Sequence, residues 1–270
     1  MLTPDQARDR AADIVRRAAA AGADAADAVF AADASLEVSV RLGQLEDVGR
    51  SESEELGLRV FVGRRSASVS TSDLSSEAIT SLVERAVAMA REAPEDRWSG
   101  LAPEERLMNG APPLLGLDDG AEVSPGELRA VALAAEEAAR AVPGVSNSEG
   151  GGAGASRSVW ALATSHGFAG AYAATGHSVS ASVLAGVGES GMVRDYAHHS
   201  ARLRQHLEAP DAIGRRAGER AVARVDPGRI SSGPMPVVFD PRVGASLLGH
   251  LAGAISGQAI TRRTSFLLEA

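Results

Sequence analysis

The chain has 270 residues, 44% of them hydrophobic and 23% charged, so it can bury a sizeable core and reads as one large or two ordinary globular domains rather than a disordered segment. It contains no Cys, which excludes a disulfide framework, a thiolate nucleophile and a Cys-ligated metal within these residues. All 27 basic residues are Arg, which removes Schiff-base chemistry and a P-loop Lys, and the net charge of −8 argues against a direct grip on nucleic acid.

Thr3-Pro4-Asp5-Gln6 combines an N-cap with Pro at the first helical position, and Ala7, Ala11, Ile14, Val15 and Ala18 follow at amphipathic-helix spacing. Gly22 is the expected C-cap. Period-two alternation then predicts strands at Ala28–Phe30, Leu36–Leu42 and Leu56–Val62. Gly63-Arg64-Arg65 turns into a polar, edge-like strand at Ser66–Ser72. A helix over 76–93 should bury Ile79, Leu82, Val83, Ala86 and Met89, and Pro94 through Gly120 reads as a connection with few contacts.

Ser124-Pro125-Gly126-Glu127 repeats the helix-entry signature with capping-box spacing. Strands are expected at Val159–Thr164 and Phe168–Leu184 around Ser165-His166-Gly167, and a further helix at Ala212–Arg224. A strand at Pro236–Phe239 and an apolar helix from Pro241 to Ile255 come next. The fold class is α+β. An N-terminal α-β-β-β-α unit with an antiparallel sheet occupies 1–93, a connecting segment 94–122, and a second α+β region 123–270, with β-hairpins and a buried apolar helix. The apolar finish at Thr264–Ala270 is expected either to dock as a strand or to lead into a further portion.

Gly150-Gly151-Gly152-Ala153-Gly154 has the helix before it and the strand after it, the reverse of a phosphate cradle, and reads as a flexible connection. His198 and His199, as strand neighbours, face opposite sides, and no His-Glu-x-x-His run is present. His250 is a lone histidine on an apolar helix, more often a core residue than a ligand. Arg194, Asp195 and Tyr196 follow a Gly-rich turn and could either clamp a peptide or close a hairpin as a surface ion pair. No Gly-x-Ser-x-Gly elbow offers acyl-transfer chemistry. No segment reaches the ~20 apolar residues of a membrane span, and the first residues do not resemble a secretory signal, so a cytoplasmic location is expected.

Leu56-Gly57-Leu58-Arg59-Val60-Phe61-Val62-Gly63, Ser146-Asn147-Ser148-Glu149-Gly150, Ala161 to Phe168, and Pro236-Val237-Val238-Phe239-Asp240-Pro241 together resemble the TldD/PmbA family, also called modulators of DNA gyrase. The stretch from Ser246 to Gly257 resembles the PmbA (TldE) branch best. The resemblance implies a bacterial metalloprotease system that pairs a TldD-type with a PmbA-type subunit and acts on extended or unfolded peptides.

In the TldD branch, the helix after the Phe-Asp-Pro strand carries His-Glu-x-x-x-His, which binds zinc. Here the run is His250-Leu251-Ala252-Gly253-Ala254-Ile255, so only the first position is kept, and the family's C-terminal Cys ligand has no counterpart. The resemblance therefore implies a non-catalytic partner with no metal of its own, zinc being held by the TldD-type subunit. Family members are longer, with a β-rich C-terminal domain. Peptide contacts are expected from Arg194, Asp195, Tyr196, Ser70 and Ser72, the serines by strand addition at the polar edge. Self-association is the alternative assembly. A metallopeptidase in its own right and a regulatory binder of gyrase are the alternative functions.

Overall fold

A computed structural model describes residues 2–108, 110, 113–186 and 191–268. Two capping boxes set the helical frame: Thr3 with Gln6 opens α1 (Pro4–Ala20), and Ser124 with Glu127 opens α3 (Pro125–Arg140). The buried side chains of α1 are Ala7, Ala11, Ile14, Val15 and Ala18, as the spacing predicts. On α2 (Ser76–Glu92), capped by Ser75, the buried stripe is Ile79, Leu82, Val83, Ala86, Val87 and Ala90, whereas Met89 is exposed. With 3.6 residues per turn, positions 83, 87 and 90 share a face and position 89 turns away.

The strands are β1 (Ala25–Arg41), β2 (Gln44–Val62), β3 (Arg65–Thr71), β4 (Val145–Thr164), β5 (Ala169–Ala185) and β6 (Val193–Ala201). They form one antiparallel sheet in the order β3-β2-β1-β4-β5-β6, an α+β arrangement. The two expected segments Ala28–Phe30 and Leu36–Leu42 are a single strand. β1 pairs with β4 from Asp27↔Thr164 to Val40↔Gly151, so the sheet runs unbroken from the N-terminal half into the second half. The chain divides into two compact units, one ending at Asp226 and one beginning at Pro227.

All four long helices of the first unit cover one face of the sheet. Phe30, Leu56, Leu58 and Val60 pack under α1 and α2, while Val179, Ala181, Val183 and Ala197 pack under α3 and α4 (Pro210–Val222). Each fully buried Phe, Leu or Val contributes roughly 1.5–3 kcal/mol over an exposed one. Between these clusters, Val38, Val40 and Ala153 meet Leu128 and Ala132 of α3.

Gly150 to Gly154 lie inside β4 and are not a flexible connection. A Cβ at Gly151 would stand 3.2 Å from Ala132 C and from Glu136 Cβ, and closer still to the Ala132 carbonyl oxygen. Gly150, at φ +120, presses against the Val40 carbonyl. Gly151 is there because α3 lies directly on the strand, whereas Gly150 is crowded by β1 and Gly152 and Gly154 by the Ser180 and Ser178 hydroxyls of β5.

The β1–β2 turn, Leu42-Gly43, has both residues at positive φ (51 and 78), the primed hairpin geometry. Its two N–H groups donate to the Glu136 carboxylate, at 2.6 Å from Leu42 and 2.9 Å from Gly43, and the Ser148 hydroxyl donates to the same group at 2.6 Å. Glu136 is 1% exposed. Burial alone would raise its carboxyl, but the Ser148 hydroxyl, the Gly43 and Leu42 amides and the Arg140 guanidinium together hold it below the usual carboxylate range.

The second unit contains α5 (Pro241–Ala254) and α6 (Gly257–Thr261). Two expectations are corrected here. Pro236–Phe239 forms no strand, having no ladder partner among the described residues of its unit. The apolar helix forms but is not buried: only Ala254 of α5 is, while Leu247, Leu248 and Leu251 are exposed. So short a segment cannot wrap a helix that is apolar on most sides. Residues 264–268 are coil and turn rather than a strand.

Candidate functional site

The sheet face away from the helices is open, and its residues follow from strand alternation. Two rows cross it near β3. One runs Ser68, Arg59, Asp27, Thr164 and the other Ser70, Gly57, Val29, Leu162, each residue directly opposite the next across neighbouring strands. With Phe168 and the 101–108 segment they line a groove of about 840 Å³, inside the roughly 300–1,000 Å³ typical of ligand sites.

Arg59 forms an ion pair with Asp27, and its guanidinium lies 5.1 Å from the centre of the Phe61 ring, which holds the long side chain flat along the sheet. The Thr164 hydroxyl oxygen is buried and has no hydrogen-bond partner among the described residues. A buried hydroxyl left unpaired costs roughly 1–3 kcal/mol, so a ligand able to reach it would recover that energy. The groove thus joins an apolar row, a charged pair and an idle hydroxyl beside a sheet edge, an arrangement suited to an extended chain with alternating side chains.

Of the expected contacts, Ser70 lines this groove, and Ser72 lies just past the end of β3, exposed. Arg194, Asp195 and Tyr196 sit on β6, at the opposite edge of the sheet, and do not converge. Arg194 and Tyr196 are on the open face, where Arg194 approaches Glu149 at 3.4 Å and Tyr196 stacks on His198 at 5.9 Å. Asp195 is buried on the helix face, accepting from Tyr196 N at 2.7 Å and Arg224 Nη1 at 3.2 Å. Strand alternation separates them, so the three do not form one clamp.

His198 and His199 do face opposite sides, and His199 Nδ1 accepts the Glu208 N–H at 3.2 Å. His250 is exposed on α5 rather than a core residue. It is the only imidazole of that helix, and among the described residues no group of three His, Cys, Asp or Glu side chains could hold a metal ion. A zinc ion of the family type therefore does not fit the residues described.

Sequence reading missed a polar cluster that pins the end of the connection to the sheet. His177, 5% exposed, places Nε2 3.1 Å from Asp119 Oδ2, which also accepts the Arg204 N–H at 2.7 Å. Asp118 pairs with Arg157 at 2.8 Å, and Thr175 N donates to Leu117 O at 2.9 Å. The Arg204 amide is the main cause that draws the Asp119 carboxyl down to about 2, with Ala121 N–H and His177 adding to it against burial.

An unfolded Asp titrates near 3.9, so the folded group contributes about 2 kcal/mol, fully present above about pH 4 and lost as the pH falls toward about 2. Asp119→Asn is therefore expected to lower the urea midpoint at pH 7, and the gap to the parent should close between about pH 4 and pH 2. A gap that stays constant with pH would contradict the assignment.

Solved structures share this architecture. One from Bacteroides thetaiotaomicron, named as a candidate modulator of DNA gyrase, matches with TM-score 0.88 at 24% identity, over 100% of this chain and 61% of its own. TldE from Thermococcus kodakarensis matches with TM-score 0.74 at 18% identity, over 95% and 57%. These define a fold class of TldE-like α+β proteins.

Sequence similarity goes further. Residues 26–90 match PmbA/TldA metallopeptidase domain 1, residues 118–225 the central domain, and residues 232–270 the C-terminal domain. Metalloprotease PmbA of Escherichia coli is 36% identical over 248 residues, 91% of this chain and 54% of that protein. The Metalloprotease PmbA homolog of Haemophilus influenzae is 34% identical over 256 residues, 94% and 56%. The chain belongs to the PmbA/TldD metallopeptidase family. It spans about half the length of these curated relatives.

Proposed function

We propose that the chain serves as a PmbA-type, non-catalytic subunit that holds extended peptides for a zinc-bearing TldD-type partner. The observation that carries this reading is the composition of α5. In a family of metallopeptidases, the helix that resembles the zinc-binding one offers His250 alone, with Leu251 and Ile255 where a base and a second imidazole would stand. Leu251 cannot take a proton from water and Ile255 has no lone pair for a metal.

The open-face groove supports the peptide-holding half of the proposal. Its apolar row takes alternate side chains, and its polar row and the Thr164 hydroxyl meet the peptide between them. The setting proposed is the cytoplasm, and among the described residues no helix is long and apolar enough to cross a membrane. Regulation of gyrase rests on the names of solved neighbours at 24% and 18% identity, which speak for the fold alone.

Leu162→Glu tests the groove. The side chain is 39% exposed on the open face, so the fold tolerates the change, while a charge enters the apolar row. Binding of a labelled unfolded polypeptide is expected to weaken about tenfold, with the circular dichroism spectrum unchanged. Unchanged affinity would reject the groove as the holding site.

A further inference from the structure

Antiparallel β2 is 19 residues long, but β3 covers only its last part, Leu56–Val62. Among the described residues, the strand from Gln44 to Glu55 pairs with β1 on one side only, and apart from Gly49 and Glu54 every residue of that stretch is exposed. This is a bare sheet edge long enough to seat a whole additional strand. Mean strands have about 5–6 residues. An edge of this kind is a template for another chain unless something blocks it.

The stretch contains no Pro, and its one register shift lies near the tip, between Ser39 and Val40 of the facing strand. Nor is it free to fray, because the Glu136 carboxylate clamps the Leu42-Gly43 tip. The edge is held ready before a partner arrives, which reduces the ordering cost of binding.

Charge decides what can pair there. From Asp33 to Glu55 the β1–β2 ribbon carries seven carboxylates against two guanidiniums, most of the chain's net −8 in one place. Arg50 is itself engaged by Glu52 at 2.5 Å. Two copies of this chain meeting edge to edge would bring like charges together, which disfavours self-pairing. The same carboxylates attract an approaching strand of opposite sign. Leu45 and Val48, both nearly half exposed, give that strand apolar contacts at the distal end.

We infer that the outer edge of β2 between Gln44 and Glu55 docks an extended, Arg- or Lys-rich segment of another polypeptide as a seventh strand. The surface is distinct from the groove of the open face and does not depend on the function proposed above.

The test uses the full chain and a labelled ten-residue peptide alternating Arg with Thr, alongside an otherwise identical peptide alternating Glu with Thr. Anisotropy is expected to show binding of the basic peptide only, weakening at least tenfold from low to physiological salt. Backbone N-methylation at alternate residues is expected to abolish binding in one register and spare it in the other, because only alternate N–H groups face the edge. Amides between 44 and 55 should gain hydrogen-exchange protection, Asp47→Asn with Glu55→Gln should weaken binding several-fold, and Leu162→Glu should leave it unchanged.

Equal binding of both peptides, equal effects of the two methylation registers, protection elsewhere than 44–55, or no binding at all would each overturn the proposal. So would self-association of the chain through this edge.

Discussion

Replacing Gly214 by Ala is expected to destabilise the first unit by about 3 kcal/mol, where the same change on an exposed helix would stabilise by up to about 1 kcal/mol. The reversal comes from how α3 and α4 pack. A Cβ at 214 would stand 2.9 Å from Ala135 C and from Ala139 N, and closer still to the Ala135 carbonyl oxygen, so backbone would have to move. At Gly218 a Cβ would stand 2.6 Å from Val142 Cγ2, 2.7 Å from Val142 Cβ and 2.8 Å from the Ala139 carbonyl oxygen, so Gly218→Ala is expected to destabilise as well. For a unit of this size the first change lowers the melting temperature by roughly 6–12 °C. A rise in melting temperature for Gly214→Ala would show that the two helices are not in backbone contact.

The second large effect is expected at Glu136. Its carboxylate accepts from two backbone amides and a hydroxyl while almost fully buried, so Glu136→Gln turns an amide N–H₂ toward groups that are themselves donors. A loss of about 3 kcal/mol follows, in line with breaking a buried charged network. Because the folded carboxyl titrates below its ordinary value, that contribution is complete above about pH 4.5 and fades as the pH falls through the folded value. Ser148→Ala removes one donor and is expected to cost about 1 kcal/mol. Chemical denaturation at pH 7 ranks the two variants, and equal midpoints for parent and Glu136→Gln would contradict the clamp.

What the sequence disclosed depends on whether local periodicity coincides with burial. The helices α1 and α3 were legible to the residue at their starts, because Thr3-Pro4 and Ser124-Pro125 carry caps that act within one turn. Residues 44–55 of β2 were not, since both faces are exposed and nothing in the sequence alternates. Gly150–Gly154 was misread because glycine signals turns locally, while here the run answers to close neighbours outside the strand, α3 at Gly151 and the adjoining strands at Gly150, Gly152 and Gly154.

The site was legible in part. Ser70 could be placed on an edge strand from its polar alternation, but the rows that form the groove come from four strands and depend on register, which a single chain does not reveal. The Asp119–His177 contact joins residues 58 apart through a segment that reads as a plain connection. His250 was read as a core residue because its helix is apolar, yet it lies exposed within a unit too small to cover it.

The most direct test of the functional account is peptide hydrolysis measured with the chain alone, with a TldD-type subunit alone, and with the two mixed. The account predicts no cleavage by the chain alone, even with added zinc, and faster cleavage of an unfolded substrate by the mixture than by the TldD-type subunit alone. Chelator-sensitive cleavage by the purified chain alone, abolished by His250→Ala, would contradict it.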